Sequence, residues 1–299
     1  NSDVASQKDV QQKDQNKKNN FNWQSVLDYL NDHKSEFKGI HAILEKSKPI
    51  IKDNKVSLYV LNKFNKTKLC RKSLSDKEWE RVLNYANGKS IFESAKILRD
   101  KFVLERDDAT KIYVSFFDED YTKNIYQVTN QSTVIGKYTN RYDVTILING
   151  LPLVQIEIKR RGIDMKEAFN QIKRYKRHSY LGLYKFIQLF IISNGIDTKY
   201  FANGDQELNY GFTFYWTDVN NERITNLEQF CVFFLDRCHI AKMIARYMIV
   251  NETEKMLIVM RPYQVYAVEN IVARALDTNN NGYIWHTTGS GKTITSFKT

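Results

Sequence analysis

The chain has 299 residues and a formal net charge of +11, a length that suits two domains of ordinary size. Hydrophobic residues make up 42% and aromatic residues 13%, which excludes a wholly disordered chain and supplies a sizeable core. No apolar run approaches the roughly 18 residues of a membrane span, no secretory leader is visible, and Cys70, Cys231 and Cys238 are odd in number and lack metal spacing. The composition therefore points to a cytoplasmic protein with reduced thiols, no membrane partner and a surface suited to a polyanion.

In chain order, residues 1–20 are almost all Gln, Lys, Asn, Asp and Ser and read as a flexible tail or linker. Apolar positions recur at helical spacing across residues 23–44, which predicts two short helices. Ser75-Asp76-Lys77-Glu78 is a helix start signal for residues 75–84, with Trp79, Val82 and Leu83 turned inward. A second helix is expected over 90–99, followed by strands over 112–117 and 125–129.

Residues 141–162, RYDVTILINGLPLVQIEIKRRG, are the centre of the chain. Two β-branched, aliphatic runs flank Asn149-Gly150, the strongest short hairpin signal a sequence offers. The period of 2 puts Gln155, Glu157 and Lys159 on one face of the second strand and Val154, Ile156 and Ile158 on the other. A strict two-residue turn pairs Ile148 with Leu151 and leaves Asp143 opposite Ile156. One extra residue, pairing Ile148 with Pro152, sets Asp143 opposite Glu157. A three-residue loop or a bulge between Asn149 and Leu153 is therefore expected, with Pro152, which cannot donate to a ladder, as its marker.

Paired carboxylates repel unless a cation lies between them, and an oxygen-only site with open positions suits Mg²⁺. Asp143, thirteen intervening residues, Glu157, one residue and Lys159 resemble the D…(D/E)xK nuclease motif. That resemblance implies Mg²⁺ on Asp143, Glu157 and the Ile158 carbonyl, with Lys159 orienting water for attack on a phosphodiester. From Lys159 to Lys185 stand nine lysines and arginines against Asp164 and Glu167, a positive field that suits a phosphate backbone.

A helix over 164–178 follows, with Met165, Ala168, Phe169, Ile172 and Tyr175 inward; Gln171 and Tyr175 share a face, and spacing alone reads them as a surface Gln and a core Tyr. Residues 185–193, KFIQLFIIS, read as a buried strand ended by Asn194-Gly195. Residues 224–250 read as helical, a helix opens at Arg261-Pro262-Tyr263-Gln264, and Tyr283 to Trp285 reads as a short strand. It feeds HTTGSGKT, residues 286–293.

The last stretch is a P-loop. Gly289 and Gly291 let backbone N–H groups of Thr288, Gly289, Ser290 and Gly291 close on phosphate, Lys292 reaches the β- and γ-phosphates, and Thr293 ligates Mg²⁺. The general pattern would place glycine where His286 stands. Gln264, twenty-five positions before Gly289, resembles the adenine-reading glutamine of superfamily 2 helicases and translocases.

The combination RYDVTILINGLPLVQIEIKRRG, EAFNQIKRY, FIISNG, MRPYQ and GYIWHTTGSGKTITSFKT resembles the restriction subunit (motor and endonuclease) of type I restriction enzymes, from about Cys70 onward. The resemblance implies an α/β fold: a restriction-endonuclease-like domain over 21–250, then the beginning of a RecA-like superfamily 2 motor over 251–299. It also implies ATP-dependent translocation on double-stranded DNA, Mg²⁺-dependent cleavage, and assembly with methyltransferase and specificity subunits. In that family the helical Gln and Tyr support the nuclease site and contact DNA, a role that Gln171 and Tyr175 inherit. Walker B, a second RecA-like domain and arginine fingers are not in this sequence, so the reading expects a piece of a longer protein. The rival readings are a DNA-repair helicase with a fused nuclease and a non-catalytic clamp that docks a motor on DNA.

Overall fold

The computed structural model describes residues 74–87, 89–135 and 139–299; the polar tail, the two helices expected within 23–44 and Cys70 lie outside them. Helix α1 (Asp76–Ala86) begins at the expected capping box: the Ser75 hydroxyl accepts from the Glu78 N–H while the Glu78 carboxylate accepts from the Ser75 N–H at 2.8 Å. Helix α2 (Ile91–Arg99) repeats the device with Ser90 and Glu93. A hairpin of β1 (Lys101–Glu105) and β2 (Lys111–Ser115) follows, of which only the second strand was expected.

The centre is a five-stranded sheet in the order β3-β4-β5-β6-β7. Its strands are β3 (Tyr126–Ile135), β4 (Thr139–Ile148), β5 (Leu151–Ile158), β6 (Leu189–Ser193) and β7 (Thr198–Ala202). Neighbours are antiparallel except β5 and β6, which are parallel. A parallel pair needs a crossover, here helix α3 (Met165–His178) and a 3-10 turn, Gly182–Phe186. The strand expected over 185–193 therefore starts at Leu189. Phe186 and Ile187 owe their apolar character to burial in the turn and the link to the sheet, which a short apolar run does not distinguish from a strand.

The β4–β5 turn is the two-residue Asn149-Gly150, both at positive φ (51° and 79°), as a turn matching strand twist requires. Asn149 is tied down by its own side chain, which accepts from the Ile125 N–H at 2.9 Å and donates to the Phe116 carbonyl at 3.1 Å. Ile148 pairs with Leu151, so the three-residue loop is not formed. The register then slips by one: Leu147 pairs with Pro152, but Ile146 pairs with Val154. Leu153 is the extra residue of a β-bulge, the other device expected. Its effect shows in the packing: Leu151, Leu153, Val154 and Ile156 all join one core cluster, so face parity changes between Leu153 and Val154. That change turns Gln155 and Glu157 to the opposite face.

Both faces of the sheet are covered. One packs with α1 and α2 in a large cluster through Trp79, Ile91, Leu98, Val154 and Ile156. The other packs under α3, whose five expected inward residues are all buried with Phe190, Ile192 and Phe201. Beyond the sheet come the short pair β8 (Trp216–Thr217) and β9 (Arg223–Ile224), then helices α4 (Leu227–Phe234) and α5 (Arg237–Ala245).

Residues 224–250 are helical only in part, because β10 (Met248–Asn251) pairs with β11 (Met256–Val259). That hairpin spans the boundary expected between 250 and 251. Helix α6 (Pro262–Asp277) adds Val265 and Val268 to the large cluster, and the Tyr200 hydroxyl donates to the Met260 carbonyl at 2.9 Å. The strand expected over 283–285 is not formed: Tyr283 and Trp285 are 90% and 88% exposed. A strand exists only by pairing, and no described strand neighbours this one. Helix α7 (Lys292–Lys298) starts directly after the glycine loop. No helix among the described residues is long and apolar enough to cross a membrane.

Candidate active site

The bulge turns Glu157 to the α3 face of the sheet, where its side chain is fully buried. One register step beyond the Val144–Ile156 pair sets Asp143 opposite it. The Ile158 N–H donates to Asp143 Oδ2 at 2.9 Å, which fixes one end of the carboxylate against the neighbouring strand. Lys159 leaves the strand with its N–H held by the Ser193 carbonyl at 2.7 Å, and its side chain returns to the site.

A chain of hydrogen bonds runs from there. Lys159 Nζ donates to Glu157 Oε1 at 3.1 Å and also to the Gln171 amide oxygen. The Gln171 amide nitrogen donates to the Tyr175 hydroxyl, which donates to the Arg141 carbonyl at 2.9 Å. One turn of α3 thus connects the β5 acid to the start of β4. Asp143, Glu157, Lys159, Gln171 and Tyr175, separated by up to 32 positions in the sequence, form one cluster. For Ile158 the contact to Asp143 is through its amide. The main-chain carbonyl of Arg141, the anchor of the chain, carries no side-chain signature and was not legible beforehand.

Burial is the first cause of a Glu157 carboxyl held well above the usual carboxylate range; the Asp143 charge adds to it and Lys159 opposes both. Its second oxygen, Oε2, is buried with no hydrogen-bond partner. A buried carboxylate oxygen without a donor is costly, and a cation shared with Asp143 would satisfy it. Two carboxylates, oxygen only, form a donor set that suits Mg²⁺. Among the described residues no group of three or more His, Cys, Asp or Glu side chains is placed to hold a metal, so the remaining positions fall to main-chain oxygen and solvent. The Tyr175 hydroxyl is pushed up to about 12, mainly by burial and then by the Glu157 charge; it remains a donor at neutral pH.

The second cluster is the glycine loop. Gly289 and Gly291 have φ of 75° and 81°. The Ser290 carbonyl accepts from the Gln264 amide and the Tyr263 hydroxyl, each at 2.9 Å. Gln264 Oε1 accepts from the Arg261 N–H at 2.9 Å. Gln264 thus caps α6 and holds the loop at once. A Cβ on Gly291 would overlap the Gln264 amide. Lys292 Nζ donates to the Thr287 carbonyl at 3.3 Å, while Thr288 and Thr293 are exposed. Tyr263 is the loop contact that sequence reasoning did not single out.

The basic run is divided. Lys173 and Arg177 both meet Glu207, at 2.8 and 2.9 Å, and Lys176 donates to the Gln206 carbonyl. Arg160 and Arg161 are exposed on the loop that follows Lys159. Arg161 lies over Gly195, whose Cβ would stand 3.7 Å from it.

Against known proteins, residues 8–209 match the family described as type I restriction enzyme R protein N terminus, and residues 257–299 match that described as type III restriction enzyme, res subunit. The type I restriction enzyme SauCOLORF180P endonuclease subunit of Staphylococcus aureus (strain COL) is 58% identical over 253 residues, 83% of this chain and 27% of the relative. The SsaAORF53P endonuclease subunit of Staphylococcus saprophyticus is 59% identical over 240 residues, 80% of this chain and 26% of the relative. The EcoprrI endonuclease subunit of Escherichia coli is 38% identical over 206 residues, 65% of this chain and 66% of the relative. The chain spans about a quarter of the length of the staphylococcal relatives it matches.

Proposed function

The chain belongs to the family of type I restriction enzyme R protein N termini, and from that premise we propose that it carries the phosphodiester-cutting site of a DNA endonuclease and the first part of an ATP-driven motor. The observation that supports the cutting site is the position of Lys159 Nζ, 3.1 Å from Glu157 Oε1 and bonded to Gln171. An exposed lysine of a plain surface hairpin would not be held from two sides.

Asp143 and Glu157 would hold Mg²⁺, with the Ile158 carbonyl as a further ligand. Bound there, the metal supplies Lewis-acid activation of water and neutralises charge on the phosphate. The protein's own part is positional. The Ile158 N–H keeps Asp143 in place. Glu157 and Gln171 fix the Lys159 ammonium, which would leave its remaining N–H for the attacking oxygen or the phosphate. Gln171 and Tyr175 hold that ammonium by anchoring to the Arg141 carbonyl. Arg160 and Arg161, exposed on the loop after Lys159, would supply cations for the backbone of double-stranded DNA.

The glycine loop would receive ATP. Gly289 and Gly291 give the backbone close approach, with Thr288 and Ser290 N–H groups on phosphate. Lys292 would bind the β- and γ-phosphates and Thr293 the accompanying Mg²⁺, and Gln264 would read adenine only by giving up its bonds to the Arg261 N–H and the Ser290 carbonyl. Because the chain spans about a quarter of its staphylococcal relatives, translocation on DNA, and assembly with methyltransferase and specificity subunits, are proposed for the whole protein in the cytoplasm.

The test is cleavage of an unmethylated plasmid by the full-length protein with its candidate methyltransferase and specificity subunits, with and without ATP, for wild type and Lys159→Ala. The proposal expects cutting only in wild type and only with ATP. Cutting without ATP or partners points instead to a stand-alone repair nuclease, and DNA binding with no cutting points to a clamp.

A further inference from the structure

A second cationic feature stands on the same sheet, outside the cluster just described. The register places Glu157 beside Ile192 and Ile192 beside Lys199, so Lys199 lies on the α3 face of β7, two strands from the acid. At the ordinary strand spacing that is roughly 10 Å between main chains. Lys199 Nζ sits over two rings, 4.9 Å from the Tyr210 centroid and 4.7 Å from the Tyr215 centroid. Lys166, from the first turn of α3, lies 5.8 Å from the other occupant of that platform, Tyr210. The Arg223 guanidinium lies 5.4 Å from the Tyr215 ring.

Two tyrosines thus hold three cations, and among the described residues none of the three forms an ion pair. The nearby acids are Asp164 and Asp197; both act on Lys199 through space, but neither forms an ion pair with it. Asp164 caps α3 by accepting from the Lys166 N–H at 2.8 Å, and Asp197 accepts from the Tyr215 hydroxyl at 3.2 Å. Lys166 and Arg223 are exposed and Lys199 is half-buried. Because cations occupy the ring faces, the rings are not free to stack on bases; they fix the direction of the charges.

Resting on the nuclease reading above, we propose that Lys199, Arg223 and Lys166 on Tyr210 and Tyr215 form a backbone-binding platform that grips duplex DNA phosphates a few nucleotides from the bond at Glu157. Each strand of a duplex presents one phosphate per about 3.4 Å of axis, so a cation roughly 10 Å from the acid meets the flanking backbone rather than the reacting phosphate. The ligand is phosphate in a duplex, read without base sequence.

The test is duplex binding by fluorescence anisotropy, in EDTA and without nucleotide, of the full-length subunit and its Lys199→Met/Arg223→Gln variant across a salt series. Methionine keeps the stem packed between the rings while removing the charge. Loss of two phosphate contacts is expected to lower the slope of log affinity against log salt by about 2, and to weaken binding severalfold at low salt. Lys199→Arg is expected to retain the wild-type slope. A wild-type slope in the double variant overturns the platform, as does a loss of affinity without a change of slope. If Lys199→Met unfolds the chain, Arg223→Gln alone, at an exposed site, decides the matter with an expected slope change of about 1. Since no metal is present, the outcome is independent of cutting: an assembled enzyme that binds but never cuts removes the nuclease reading and leaves the platform standing.

Discussion

Lys159 and Tyr175 are joined through a single side chain: Gln171 takes the Lys159 ammonium on its amide oxygen and gives its amide N–H to the Tyr175 hydroxyl. Tyr175 in turn bonds the Arg141 carbonyl at 2.9 Å, two residues before Asp143. The lysine and the first acid therefore share an anchor. Tyr175→Phe keeps the ring packed against Tyr142 but leaves the Gln171 amide and the Arg141 carbonyl without this partner, a cost of about 1–3 kcal/mol if both stay dry. Cleavage by the assembled enzyme is expected to fall roughly tenfold to a hundredfold through loss of positioning, with DNA affinity unchanged. Single-turnover cleavage and a binding isotherm check both. An unaltered cleavage rate would put Tyr175 in the core and nothing more.

Asp143→Ala and Lys159→Ala separate the two clusters. Neither residue contacts the loop of Gly289 and Gly291 in the structure, so both variants are expected to lose cleavage by several orders of magnitude while ATP hydrolysis by the assembled enzyme stays within about twofold, as independent sites imply. Lys292→Ala is expected to do the converse to ATP hydrolysis and, where translocation precedes cutting, to remove cleavage as well. Equal loss of ATP hydrolysis in all three, with circular dichroism unchanged, would show that the clusters are coupled.

Glu157 links the site to pH. Its folded carboxyl titrates above the unfolded value, chiefly through burial. The native state therefore holds a proton that the unfolded chain has released, and the favourable contribution present below the unfolded value is lost as pH rises through the folded one. Without metal, the melting temperature of wild type is expected to drop relative to Glu157→Gln as pH rises above the ordinary glutamate range. Millimolar Mg²⁺, by binding the ionised pair, is expected to reduce that drop in wild type and not in Glu157→Gln. Thermal melts at several pH values with and without Mg²⁺ test this. Parallel curves for both proteins would detach Glu157 from metal binding.

The sequence carried the periodic parts well. Ser75 with Glu78 and Ser90 with Glu93 mark helix starts through local hydrogen bonds, and the inward row of α3 follows from spacing alone. The requirement that Asp143 face Glu157 was enough to call for an extra residue. It did not say whether a longer turn or a bulge would supply it, because Asn149-Gly150 satisfies a two-residue turn by itself and Leu153 looks like any other strand residue. What escaped was short strands and contacts between side chains. β7, β10 and β11 are strands of four or five residues, too short to show a period although each pairs with a strand close by in sequence, and Trp285 looks like a strand residue yet has no described partner strand. The hold of Gln171 on Lys159 could not be read from spacing either; only the family resemblance pointed to it.

The contact of Gly291 with Gln264 gives the last prediction. Gly291 has φ of 81°, and a Cβ there would overlap the Gln264 amide. Two separable penalties follow for Gly291→Ala: a left-handed backbone costing about 1–2 kcal/mol, and displacement of the glutamine that ties the Arg261 N–H to the Ser290 carbonyl. ATP hydrolysis by the full-length subunit in its complex is expected to fall at least roughly tenfold, the factor that about 1.4 kcal/mol represents. In Gly291→Ala/Gln264→Ala the overlap is relieved and the backbone strain is not. If Gln264 serves only to brace the loop, the double variant recovers part of the loss. If Gln264 also reads adenine, the double variant recovers none of it, and its discrimination between ATP and GTP collapses as well. Measuring both nucleotides in the four proteins of this cycle distinguishes brace from reader, and a fully active Gly291→Ala would remove the loop from the nucleotide site.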